Sequence, residues 1–345
     1  MQPEKPTSNE FFYIDDDGRK TDAELHNRIL REHDYPIDES IMGPIRAKHQ
    51  ERARIFGDKD WDPSKHPRGE KGRWTFSTSH ASRLYQPTTK TADDIIDEIP
   101  GAREAYDKVQ EKLRKGKPTD LLVEEGGFRR PNGTYTPARA AEHERIINHF
   151  INPETVEKYT PKGNVNPTLT VLGGRGGSGK SWLTSKNGPI DASTSLVIDS
   201  DEVKAMLPGY EGWNAGLLHE ESSHVVALID ERAAAMGLNV VLDGTLKSTN
   251  ILNRIAVYQA PPDSVYEIDG YYMYASPETA TRRAFGRWAK GGKYDGRFVP
   301  PEVILGNTKN EANFDTLSSS FRKWAVYDND EDSGDPKLVE QSKRR

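Results

Sequence analysis

The glycine spacing between residues 174 and 181 limits what this chain can fold into more than any other feature. Gly174-Arg175-Gly176-Gly177-Ser178-Gly179-Lys180-Ser181 fits the pattern G-x-x-x-x-G-K-S. It follows the alternating, β-rich run Thr168–Leu172, which reads as a buried strand. A strand that breaks into glycines lets the backbone curl until successive N–H groups point inward, making a cradle for phosphate oxygens. In such a loop Lys180 reaches the β- and γ-phosphates as a mobile charge, and the Ser181 hydroxyl faces Mg²⁺. The pattern also predicts a helix starting at Ser181, whose dipole adds to the anion site. Residues 174–181 are therefore the expected site for ATP, with Mg²⁺ as its companion.

Only 34% of the 345 residues are hydrophobic and the mean hydropathy is -0.82, so the chain cannot be densely packed core throughout. The length allows two domains, or one with a long appendage. The division is expected within about Leu121 to Gly133. That gives an N-terminal extension, residues 1–133, of short helices or loosely ordered chain, and a nucleotide-binding domain, residues 134–345. A net charge of -6 shows no basic excess and argues against a nucleic-acid partner. The absence of cysteine excludes disulfides, thiol catalysis and cysteine-ligated zinc. No apolar run approaches membrane-spanning length, and the N-terminus lacks a signal-peptide core, so the cytoplasm is the expected place of action. A specialised secretion route or packaging in a particle would leave no such mark.

Within the extension, residues 1–22 read as a frayed acidic terminus. Ala23–His33 and Ile41–Phe56 read as short helices, as do Ala92–Ile99 and Ala102–Leu113. Between them, Trp61–Thr75 is an extended segment with five basic side chains, counting His66, between Trp61 and Trp74. It reads either as a linker or as a docking peptide for an acidic or nucleic-acid partner.

Beyond Thr136-Pro137, which caps a helix to Phe150, strands and helices alternate. Expected strands are Thr168–Leu172, Leu196–Ile198, Leu238–Leu242, Val265–Ala275 and, last, Lys323–Tyr327. Expected helices are Asn214–Met236, Ser248–Tyr258 and one from Ser276 to about Lys290. This order predicts an α/β fold with a mostly parallel sheet flanked by helices and ligands at the carboxyl ends of its strands. That rule selects Asp199 and Asp201 after the second strand, and Asp243 and Thr245 after the third. The aspartates can orient an acceptor hydroxyl, or simply cap a helix and make a turn. Arg283 and Arg287 share a helix face, and Arg297 follows a glycine-rich stretch, as in a lid that brings an arginine to a moving phosphoryl group. A solvated helix face is the alternative reading, weaker for Arg297 than for Arg283 and Arg287. His219, Glu220 and Glu221 invite a metal reading, but the first two are adjacent and point apart on a helix.

Taken in order, Pro137–Ile146, the glycine loop, Ile198–Tyr210, His219–His224, Gly237–Ser248, Gly296–Pro300 and Trp324–Asn329 resemble the zeta-toxin family of P-loop kinases over about residues 135–339. The resemblance implies transfer of the ATP γ-phosphate to a hydroxyl of UDP-N-acetylglucosamine or a related nucleotide sugar. It implies Asp201 as base on that hydroxyl, Lys180, Ser181, Arg297 and one of Arg283 or Arg287 on the phosphates, and Asp243 and Thr245 on the acceptor. Asp243 stands where some members carry Glu, which implies different substrate contacts, and because relatives act on NAD-type substrates, NAD or a related dinucleotide stays open as acceptor. A toxin of this kind implies an antitoxin, or inhibition in cis by the extension. Separately, Trp61–Thr75 resembles a short segment of tailed-phage head proteins, which implies a phage or prophage context and particle proteins as partners. From that segment comes a different reading of the chain, as a phage packaging accessory with regulatory nucleotide binding.

Overall fold

The computed structural model describes residues 80–342, apart from 164, 248–249, 260–264 and 292–295. It also gives a two-residue antiparallel ladder, Tyr13–Ile14 with Lys20–Thr21, in the stretch expected to be frayed. The helices expected at Ala23–His33 and Ile41–Phe56, and the tryptophan-flanked segment 61–75, lie outside the described residues.

Helices α1 (Ala92–Asp97) and α2 (Ala102–Lys115) come first, then α3 (Pro137–Phe150) and α4 (Pro153–Tyr159). A reciprocal Thr91–Asp94 capping box starts α1, and Pro137 and Pro153 stand in the first turns of α3 and α4, where a missing N–H costs nothing. Strand β1 (Thr168–Gly173) enters the glycine loop. It is followed by β2 (Leu196–Asp199), α5 (Ser200–Met206), α6 (His219–Ala235), β3 (Val240–Asp243) and α7 (Asn250–Tyr258). The chain ends with β4 (Glu267–Tyr274), α8 (Pro277–Ala289), α9 (Pro301–Leu305), α10 (Asn310–Ser318), β5 (Lys323–Asp328) and β6 (Lys337–Gln341).

The strands form one six-stranded sheet in the order β2-β3-β1-β4-β5-β6, parallel except for β6, which runs antiparallel on β5. This is the expected α/β, P-loop kinase-like sheet. Side-chain alternation along β1 divides the core. Leu169 and Val171 face the larger cluster with Ile198, Val240, Leu242 and Ile229 of α6. Leu172 faces the other, with Leu183, Val241, Tyr271 and Met273. Packing continues without a break across the expected division at residue 133, since Ala81 joins the larger cluster and α1 and α2 cover α8.

Two expectations fail. Lys323–Tyr327 is not the last strand. Residues 337–341 pair at the sheet edge with Leu338 and Val339 about half exposed, so backbone pairing rather than a buried face makes this strand, and no alternation betrays it. Nor does a helix begin at Ser181. Lys180–Trp182 is a single 3₁₀ turn, and the i→i+3 bonds continue from Leu183 to Lys180, Ser185 to Trp182 and Gly188 to Ser185. The Ser185 and Thr184 hydroxyls bond back to the Trp182 and Ser181 carbonyls, and Asn187-Gly188-Pro189 ends the run. The loop therefore has no helix dipole behind it.

Candidate active site

Three strand ends bring the expected residues to one rim. The register pairs Leu172 with Asp243 and Asp243 with Asp199, so the glycine loop and both carboxylate positions lie side by side. The loop needs its glycines. Gly174, Gly177 and Gly179 have φ of 139°, 93° and 89°. A Cβ on Gly177 would lie 2.1 Å from the Ala280 carbonyl oxygen, so the loop is wedged against the start of α8. Buried Ser178 Oγ has no hydrogen-bond partner. Asn329, just past β5, donates to the Ser178 carbonyl at 2.8 Å and holds the loop from outside.

Lys180 Nζ reaches the Gly174 carbonyl at 3.0 Å and Asp243 Oδ1 at 3.7 Å. Burial pushes the Asp243 carboxyl up, with Asp199 and Asp201 adding to the push and Lys180 opposing it. Asp199 Oδ1 accepts the Asp201 N–H at 2.8 Å and caps α5, which is the structural role open to it from sequence. Asp201 turns toward the rim, where Arg297 Nη1 donates to its Oδ1 at 2.7 Å. The other Arg297 nitrogen, Nη2, lies 4.0 Å from where a Cβ on Gly176 would stand. One guanidinium thus spans the space between the phosphate loop and Asp201.

The two helix arginines separate. Arg283 is committed to the loop after β5, donating to the Asn329 and Glu331 carbonyls at 2.6 Å. Arg287 stands on the rim of an open cationic cleft of about 480 Å³ lined also by Arg282, Arg283 and Lys290. Desolvation, then the like charge of Arg297, lowers the Arg287 guanidinium, and Asp201 opposes the shift. Ser181 is exposed at the 3₁₀ turn. Thr245 is half-buried, its carbonyl held at 2.6 Å by Asn310 Nδ2 of α10. The same helix holds the Leu246 carbonyl through Asn313 at 2.7 Å.

Within the expected ATP loop, the Arg175 side chain serves the fold. Its side chain is 1% exposed and turned away from the cradle, bonded to the Asn307 carbonyl and to Glu311 of α10, with the Tyr272 hydroxyl on the same carboxylate. Only its backbone remains for phosphate.

Sequence reading missed Lys204. It is buried on α5, its ammonium 3.7 Å from Asp201 Oδ1. Burial lowers it, and Asp201 opposes the shift. The i,i+3 spacing from Asp201 was a usable signal. Glu221 is fully buried and takes hydrogen bonds from Arg139 and, at 2.7 Å, from His143 of α3. Burial alone would push this carboxyl up, but those bonds outweigh it and hold Glu221 at about 2.

The sequence model of the family described as Zeta toxin matches residues 153–334. No curated protein matches the chain. Among solved structures, one from the PezAT chromosomal toxin–antitoxin system of Streptococcus pneumoniae is 16% identical with a TM-score of 0.43, over 60% of this chain and 81% of that one. The crystal structure of AvrRxo1-ORF1:-ORF2 with ATP is 18% identical with a TM-score of 0.47, over 61% and 68%. The form with sulphate ions is 18% identical with a TM-score of 0.48, over 61% and 69%.

Proposed function

The chain belongs to the zeta toxin family, and on that premise we propose that it is an ATP-dependent kinase toxin that phosphorylates a hydroxyl of UDP-N-acetylglucosamine or a related nucleotide sugar. The observation that carries the reading is the Arg297 guanidinium between the glycine loop and Asp201. A protein that only binds nucleotide needs neither an arginine nor a carboxylate there.

In this reading the loop amides and Lys180 hold the phosphates. Mg²⁺ is ordinarily bound by one or two protein oxygens plus substrate phosphates. The Ser181 hydroxyl, next to Lys180 in the chain, and the Asp243 carboxylate, 3.7 Å from the Lys180 ammonium, would supply those oxygens. The ion, when bound, would offset charge on the β- and γ-oxygens. Asp201 accepts the proton of the acceptor hydroxyl and holds its oxygen in line with the γ-phosphorus. Arg297 gives up part of its bond to Asp201 as negative charge spreads over the moving phosphoryl group, and Arg287 adds a second positive charge on that side. Lys204 stays behind Asp201 and keeps one cation against the carboxylate when Arg297 turns to phosphate. The loop after Asp243, with Thr245, lines the acceptor side. An antitoxin that occludes this rim is the partner such a toxin requires.

The test is incubation with Mg·ATP and a panel of nucleotide sugars and dinucleotides, read by mass spectrometry. UDP-N-acetylglucosamine is expected to gain one phosphoryl group, and expression in a bacterial cell to arrest growth. A chain that binds ATP but modifies no member of the panel and leaves growth unchanged would overturn the proposal.

A further inference from the structure

We infer that residues 90–119 of the N-terminal extension form a strap that positions Arg297, so that this part of the extension belongs to the catalytic unit. The inference rests on the kinase reading. Its basis is a set of contacts that α2 makes at both of its ends.

Phe298, the residue after Arg297, is 3% exposed. Its ring lies 6.1 Å from that of Tyr106 on α2 and 4.9 Å from that of Trp288 on α8. Ile96 of α1 and Ala102 and Val109 of α2 complete the cluster, with Phe285 beneath. The Tyr106 hydroxyl donates to Glu302 at the start of α9, and Lys90 pairs with Glu278 at the start of α8, 2.7 Å away. These contacts clamp the chain on both sides of Arg297. At its other end the strap grips the segment between α5 and α6. Lys112 lies over the Trp213 ring at 5.2 Å, and the Thr119 N–H donates to the Leu217 carbonyl at 2.9 Å. Phe298 closes the circuit, its N–H donating to the Gly212 carbonyl at 3.1 Å.

Arg297 therefore leaves a backbone fixed on one side by the strap and on the other by the segment that follows the Asp201 helix. Tilting α2 would shift Phe298 and swing the guanidinium between the loop and Asp201. Misplacement of a reacting group by about 1 Å can cost on the order of a hundredfold in rate. Tyr106 is thus a positioning residue, which touches no substrate and acts through Phe298 and Arg297.

The experiment compares full-length wild type, Tyr106→Ala, Tyr106→Phe and Glu302→Ala. It measures transfer to UDP-N-acetylglucosamine, ATP affinity by calorimetry, and hydrogen exchange at the Phe298 and Ser178 amides. Tyr106→Ala is expected to lower kcat about ten- to a hundredfold with ATP affinity within twofold, and to speed exchange at Phe298 but not at Ser178. Tyr106→Phe, which keeps the ring and loses only the bond to Glu302, should bring the rate back to within severalfold of wild type. Glu302 is exposed, so Glu302→Ala serves if Tyr106→Ala does not fold; it should speed Phe298 exchange and lower kcat severalfold. Unchanged kcat in a folded Tyr106→Ala, or equal loss of ATP affinity and turnover, overturns the strap. If wild type transfers no phosphate, the kinase reading has failed instead, and the strap then stands or falls on Phe298 exchange alone.

Discussion

Arg297→Ala is the sharpest perturbation of the site. The side chain makes a 2.7 Å bond to Asp201, and each partner's side chain is about a fifth exposed. Its removal changes two things. Asp201 keeps Lys204 at 3.7 Å, so the base loses one of two cations and stays partnered. The phosphoryl group loses a charge that matters most as negative charge develops in the transition state. Transferred arginines of this kind contribute about a thousandfold or more, and a thousandfold is about 4 kcal/mol of barrier. The ground-state cost is small, because Lys180 and the loop amides hold the phosphates, and ATP affinity should fall less than about threefold, under 1 kcal/mol. Arg297→Lys should recover little, since one ammonium cannot reach both Asp201 and the loop as the planar fork does. Rapid-quench single turnovers on UDP-N-acetylglucosamine, paired with calorimetry of ATP binding, separate the terms. Turnover at the wild-type rate with ATP affinity lowered more than tenfold would refute the reasoning and make Arg297 a ground-state phosphate ligand.

Asp201→Asn should fold, bind Mg·ATP and lose about a hundred- to ten-thousandfold in transfer, while Asp199→Asn, which keeps an acceptor for the cap, should cost far less; the reverse order in a steady-state assay would move the base to Asp199. Gly177→Ala should destabilise the fold by about 1–3 kcal/mol from its left-handed φ alone and weaken ATP binding, and a thermal midpoint equal to wild type would contradict the wedge at Ala280. Glu221→Gln should cost about 3–5 kcal/mol in urea unfolding, because it leaves buried Arg139 without its counter-charge. Burial, then the Asp230 charge, pushes Glu231 from 4.5 to about 7, so between those pH values the folded state holds more protons than the unfolded one and stability falls as pH rises. Glu231→Gln should flatten that slope and stabilise the protein at pH 8 by up to about 3 kcal/mol, and an unaltered pH profile would count against it.

The parts of the fold legible in the sequence were those with strong local signals. Pro137–Phe150 has a proline start and a clean apolar stripe, and its bounds emerge unchanged. The inner strands, buried on both faces, announce themselves as apolar runs, and the ligand rule for parallel sheets then brings Asp199, Asp201 and Asp243 to the rim. What stayed hidden depends on distant partners. Nothing near Arg175 tells of Glu311, and nothing near Glu221 tells of Arg139, although Glu221 sits one turn before Val225 on the buried stripe of α6 and so hinted at a paired charge. The missing helix after the loop was a different failure. Motif expectation outweighed the local chemistry of Thr184, Ser185 and Asn187-Gly188, which favours tight turns.

Helix α10 has a mechanical consequence of its own. Through Glu311 it holds Arg175 in the glycine loop, and through Asn310 and Asn313 it holds residues 245 and 246 after β3. Both loops thus share one footing, and any vibration of that helix carries them together. In the proposed phosphoryl transfer, that shared footing would set the gap between the two reactants when the chain folds. A graft of the glycine loop alone onto another scaffold would lose that fixed spacing, whereas a graft that includes residues 307–313 would carry it along.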